Sequence, residues 1–177
     1  MERPTRPVIN RTSTLPRPNA YTIALDNEFR DIAFSEERVV ANKGLWRDIL
    51  QGPSTTPMDL EVGTGNGLFY SHHALQNPER ALVGLELKYK PLIQTIRRAR
   101  NAGCKNVAIT RFHAFNIDQR GDQSEIHDVF IHFPDPLTSP KKPKNRLTNA
   151  WFLDLIYDLQ VPGSYVNYKH ESREMFE

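Results

Sequence analysis

Glu61-Val62-Gly63-Thr64-Gly65-Asn66-Gly67 sets a carboxylate two residues ahead of three alternating glycines. Glycines so spaced let the backbone turn tightly and let a ligand approach it closely. A second carboxylate, Glu86, closes Val83-Gly84-Leu85-Glu86. It falls about 20 residues past the turn, where nucleotide-binding sheets place the acid that accepts ribose hydroxyls. A third, Asp135, stands between two prolines in Phe133-Pro134-Asp135-Pro136. Prolines restrict the loop and hold its acid in place. Each acid has a plainer reading. Glu61 and Glu86 could be solvated strand ends, and Asp135 could cap the next helix from a proline-rich turn.

Taken together, the acids describe a site for an adenosine-type cofactor, and charge selects among such cofactors. A dinucleotide brings a pyrophosphate to the turn, a poor neighbour for Glu61. S-adenosylmethionine has no phosphate and carries an ammonium and a sulfonium, which an acid beside the turn suits. The G-x-G-x-G spacing also departs from the dinucleotide pattern G-x-G-x-x-G. No metal is expected. His72 and His73 are adjacent on a predicted helix and diverge. His132, in an apolar strand, reads as a hydrogen-bonded core or site residue.

The elements that must position these residues alternate. Strands are predicted at Met58–Val62, Ala81–Glu86, Val107–Phe112, Asp128–Phe133 and Ser164–Lys169. Helices are predicted at Ser35–Gln51, with Ser35 as its cap, and at Gly67–Gln76, Pro91–Ala102 and Leu147–Leu159. Residues Asn116–Ile126 carry no clear pattern. This rhythm gives an α/β fold, a mostly parallel twisted sheet with helices on both faces. Ligands of such sheets bind beyond the carboxyl ends of the strands, so Asp135 should face one crevice with Glu61 and Glu86.

A chain of 177 residues fits a single domain. Residues 1–20, with Pro4, Pro7, Pro16 and Pro18 and with Arg3, Arg6, Arg11 and Arg17, read as a mobile basic arm. Residues 21–177 make the domain. There is no apolar run of about 18 residues and no signal core, so neither a membrane nor secretion is expected. Cys104 is the only cysteine, which fits a cytoplasmic location. The net charge of +2 is unevenly spread. Leu87 to Ile117 holds no acid but carries Lys88, Lys90, Arg97, Arg98, Arg100, Lys105 and Arg111. Lys141, Lys142, Lys144 and Arg146 form a second basic cluster. Such patches suit a phosphate backbone, against the alternative of solvated helix faces.

The set LEVGTGNG, NPER…VGLEL, FPDP followed by a lysine-rich loop, and PGSY resembles the bacterial tRNA (guanine-N7-)-methyltransferases, from about Leu60 to Lys169. The resemblance implies a Rossmann-like class I methyltransferase that moves a methyl group from S-adenosylmethionine to N7 of guanine 46 in the tRNA variable loop. It carries cofactor binding onto Glu61, Gly63, Gly65, Glu86 and Asp135, and a catalytic or base-orienting role onto Asp135. The family's adenine contact after the third strand falls on His113-Ala114, with Asn116 as the alternative. The tRNA-binding positions fall on Ser139, Lys141, Lys142, Lys144, Arg146 and His170. Departures are visible: Leu137 stands where the family has Trp, Ser139 where it has Lys, and Lys169-His170 where it has Thr-Asp. The family continues beyond this point with a helix and a strand pair, so a C-terminally short domain is expected. Monomer and homodimer both remain open. Two other readings are a methyltransferase acting on another RNA and a non-catalytic RNA-binding protein that keeps the fold.

Overall fold

In the computed structural model, residues 15–50, 56–119, 123–135 and 146–173 are described. The chain runs through α1 (Ala20–Asp26), β1 (Ala33–Phe34), α2 (Glu36–Ala41), α3 (Trp46–Ile49), β2 (Met58–Val62), α4 (Leu68–Gln76) and β3 (Ala81–Leu85). It continues through α5 (Tyr89–Asn101), β4 (Val107–Thr110), a 3-10 segment (Ala114–Gln119), β5 (Val129–His132), α6 (Ala150–Leu159) and β6 (Val166–Lys169). The strands form one six-stranded sheet in the order β1-β4-β3-β2-β5-β6, and every neighbouring pair is parallel.

Strand periodicity divides the apolar residues between two faces. Met58, Leu60 and Val62 of β2 join Val83 and Leu85 of β3 in one core, with Trp46, Phe152 and Ile156 beneath them. Leu82, Val107 and Ile109 point the other way, toward Leu25, Tyr70, Ile93 and Ile96. Both strands are buried throughout: β3 is apolar along its length, as strands covered on both faces usually are, whereas β2 carries the buried acids Asp59 and Glu61 between its apolar residues. In α5, Leu92, Ile93, Thr95, Ile96 and Ala99 make one buried stripe, while Gln94, Arg97 and Arg98 face out. Gly103, at φ 78°, ends that helix.

The second half of the fold follows the sequence reading to within a few residues at each boundary. The first half does not. The single helix expected over Ser35–Gln51 is two short helices, α2 and α3, parted at Gly44, which takes φ 74°. Val39 and Trp46 are buried, but Val40 and Leu45 are about half exposed, so the expected apolar face is not one face. Ser35 stands at the N-cap of α2 without a side-chain capping bond. Gln51 lies outside the described residues. Two elements precede that stretch. α1 starts at Ala20 under a capping box in which Asn19 accepts from the amides of Tyr21 and Thr22. The two-residue β1 pairs with β4 at the sheet edge. The last two residues of the expected arm, Asn19 and Ala20, thus belong to the start of α1, and residues 1–14, with Arg3, Arg6 and Arg11, lie outside the described residues. The unassigned stretch opens inside the 3-10 segment, and Ile126 then bridges Gln160. α6 begins at Ala150, three residues later than expected, under an Asn149 cap. Among the described residues the sheet ends at β6, and no helix is long and apolar enough to cross a membrane.

Candidate active site

β2 lies between β3 and β5, with β4 and β1 beyond one neighbour and β6 beyond the other. The chain reverses its direction of strand addition here, which opens a crevice beyond the carboxyl ends of the strands. A cleft of about 430 Å³ occupies that place. Its wall is built from Gly63 and Gly65 after β2, Glu86 and Lys88 after β3, and His113 and Ala114 after β4. His132, Phe133, Pro134 and Asp135 at the end of β5, with Arg146 and Leu147 ahead of α6, complete it.

The glycine turn is shaped from both sides. Gly63, Gly65 and Gly67 take φ of +79°, +55° and +78°, values that strain any residue with a Cβ. A Cβ at Gly67 would stand 2.7 Å from the Thr95 backbone, so close packing of α4 on α5 requires glycine there. At Gly63 and Gly65 nothing lies within 4 Å of that position, which leaves the turn open as a cradle. The Thr95 hydroxyl donates to the Gly65 carbonyl at 3.0 Å. Its one proton is then used, so Thr64, 3.1 Å away, donates to Thr95. Glu86 grips the turn as well. Its Oε2 accepts from the Gly65 amide at 3.0 Å and its Oε1 from the Lys88 amide at 2.9 Å. Two carboxylate oxygens hold about four lone-pair sites, so acceptor capacity toward the cleft remains.

Glu61 is not part of the wall. It is 2% exposed, and its Oε2 has no hydrogen-bond partner among the described residues. Burial, and then the nearby charge of Glu86, push its carboxyl up to about 8. His113 is held at the wall by its Nδ1, which accepts the Phe115 amide at 3.2 Å, and burial lowers its pKa. Asn116 stands behind it, with its amide donating to the His113 carbonyl at 2.9 Å. His132 lies 3.1 Å from Asn167 Oδ1, and burial likewise lowers its pKa. The Nε2 of His170 donates to the Pro134 carbonyl at 3.2 Å, and its Nδ1 accepts the Ser172 amide at 2.8 Å.

A family model described as "Putative methyltransferase" matches residues 55–177. The tRNA (guanine-N(7)-)-methyltransferase of Bdellovibrio bacteriovorus is 57% identical over 155 residues, which span 87% of this chain and 74% of that protein. The chain belongs to the tRNA (guanine-N7-)-methyltransferase family. The family's Bacillus subtilis member is more distant, 29% identical over 85% of this chain and 68% of its own length. An S-adenosylmethionine-dependent methyltransferase from Aquifex aeolicus shares the fold with a TM-score of 0.50 at 16% identity, over 70% of this chain and 62% of that one.

In this member of the family, the structure brings Gly63, Gly65, Glu86, His113, Ala114, Asp135 and Arg146 to one cleft. Glu61 lies buried behind the turn, Asn116 supports His113, and His170 braces the loop that carries Asp135 instead of lining the cleft. Ser139, Lys141, Lys142 and Lys144 lie outside the described residues. Several wall residues carry no site role in the sequence pattern, His132 and Phe133 among them. The apolar strand around His132 fits a core residue as well as a site residue. The signal for Phe133 is a large aromatic directly before Pro-Asp-Pro. Asp59, His127 and Asp128 draw ligand atoms to within 4.8 Å of one another at the other end of the sheet. The Arg80 guanidinium already stands among them, 3.0 Å from His127 Nδ1 and 3.0 Å from Asp128 Oδ2.

Proposed function

We propose that this chain transfers a methyl group from S-adenosylmethionine to N7 of guanine 46 in the variable loop of tRNA. The observation that carries this reading is the convergence of the glycine turn, Glu86 and Asp135 on one cleft. The residues present fit the cofactor. Gly63 and Gly65 leave a cradle that any Cβ would fill, and Glu61 holds a buried acceptor without a partner. Glu61 would meet the ammonium, Glu86 the ribose hydroxyls, and His113 with Ala114 the adenine. When bound, S-adenosylmethionine supplies an electrophilic methyl group.

Guanine N7 has an in-plane lone pair and no proton to lose, so no strong general base is needed. The work left to the protein is alignment. Asp135 would hold the guanine edge through its N1–H and exocyclic amine, and would face the positive charge that develops on the base. His170 steadies Asp135 by holding the carbonyl of Pro134. The tRNA backbone would rest on Arg146 and on the stretch that carries Ser139, Lys141, Lys142 and Lys144. We place this activity in the cytoplasm. Asp135→Asn tests the assignment. Turnover should fall at least about 100-fold, an effect of electrostatic-stabilisation size, while calorimetric cofactor affinity stays near wild type. Equal loss of both would make Asp135 a cofactor ligand instead.

A further inference from the structure

Phe133 combines three features that packing does not explain. It has φ 50°, one of two positive values among the described residues other than glycine. Bulky side chains rarely adopt that conformation, and residues held there cluster at functional sites. It also precedes a proline, which further narrows its backbone choices. Yet the ring is 66% exposed and lines the cleft. An exposed ring gains little from burial, so core packing does not offset the strain.

The surroundings hold the strained geometry from both sides. The Phe133 amide donates to the Lys169 carbonyl at 2.8 Å, and the next carbonyl, that of Pro134, accepts from His170 at 3.2 Å. Before it, His132 packs edge-on against Phe69 with ring centroids 4.3 Å apart. The end of β6 therefore clamps the turn and leaves the ring facing open space two residues from Asp135. The wall proposed for adenosine, Glu86 and His113, comes from β3 and β4, whereas Phe133 comes from β5. A flat apolar face beside an acid suits a purine whose edge offers N–H donors.

We propose that the Phe133 ring is the stacking platform that receives the target guanine beside Asp135. This rests on the methyltransferase reading above. A base taken out of its own stack loses stacking energy, and an aromatic platform returns part of it. Phe133 is thus a base-binding and positioning residue, and no bond to it forms or breaks.

The test is single-turnover methylation of a tRNA transcript by Phe133→Leu, Phe133→Asn and Phe133→Tyr, with cofactor affinity and thermal midpoint measured in parallel. Leu and Asn should lower the rate at subsaturating tRNA roughly 5- to 100-fold, the size of one lost base–aromatic stack, and Tyr should stay within about threefold of wild type. Cofactor affinity should hold throughout. Asn tolerates this φ, so its melting point should not fall. Wild-type rates in Leu, a loss in Tyr equal to that in Leu, or a parallel loss of cofactor affinity would each overturn the platform. If the unaltered chain methylates no tRNA, the methyltransferase reading fails and the platform is judged separately. Phe133→Trp, loaded with S-adenosylhomocysteine, should then show fluorescence quenched by the transcript and not by one abasic at position 46. Quenching equal for the two transcripts, or absent from both, would refute the platform.

Discussion

Glu61 and Glu86 flank the same turn in different surroundings. Glu86 already accepts from two backbone amides. Glu61 is buried without such donors, and its pKa of about 8 leaves it neutral in the empty protein at pH 7. Its folded value lies above its ordinary 4.5, so between those two values the native state holds more protons than the unfolded one. Stability of the empty protein should therefore fall as pH rises through that window, and Glu61→Gln should remove that part of the fall. If Glu61 meets the cofactor's ammonium as a carboxylate, binding must release its proton. Cofactor affinity should climb with pH and level off above about 8, with proton release visible by calorimetry in buffers of different ionisation heat. Glu61→Gln should bind more weakly and show no such slope. Both acids were legible in sequence from their spacing to the glycines. The Gly65 bond of Glu86 and the burial of Glu61 were not, because both depend on distances across β2 and β3.

The turn is fixed by the packing of the elements around it. Opposite Glu61 in the sheet register stands Gly84. A Cβ there would meet Thr64 Cγ2 at 2.6 Å and Tyr70 Cε2 at 2.7 Å. The Tyr70 ring cannot retreat easily, because its hydroxyl is anchored on the Leu82 and Ala108 carbonyls at 3.0 and 2.9 Å. Gly84→Ala should cost about 1–3 kcal/mol by overpacking, readable as a lower urea midpoint with an unchanged slope. It should also disturb the Thr64 end of the turn. Elements with a long period were legible: α4, α5, α6 and strands β2 to β5 each repeat their apolar pattern over several residues. β1 was not, since two residues carry no period and its pairing with β4 is a tertiary event. The split between α2 and α3 was hidden because the apolar residues on either side of Gly44 imitate one helix. α1 was missed although Asn19 and Thr22 form a capping pair, because the prolines before it suggested disorder.

Across the whole molecule the two ends of the parallel sheet are unlike. The carboxyl ends open on the cleft, while the amino ends are sealed by Asp59, fully buried, with His73, Arg80 and Asp128. Burial alone would raise the Asp59 carboxyl, but hydrogen bonds from His73 and Arg80 outweigh it and hold the pKa below its ordinary value. That stabilisation is present above the ordinary carboxylate range and is lost as pH falls below it. Arg80→Met leaves the buried charge uncompensated and should cost about 3–5 kcal/mol, whereas adding Asp59→Asn should recover much of that loss. Chemical denaturation of the two variants at pH 7 reads the difference. With one end sealed, the proposed function places the meeting of methyl donor and guanine in the cleft at the other end. The most direct test is to incubate the chain with S-adenosylmethionine and unmodified tRNA, then cleave the product at 7-methylguanosine and map the break. A single break at guanine 46 is expected; no break, or methyl incorporated elsewhere in the tRNA, would contradict the proposed function.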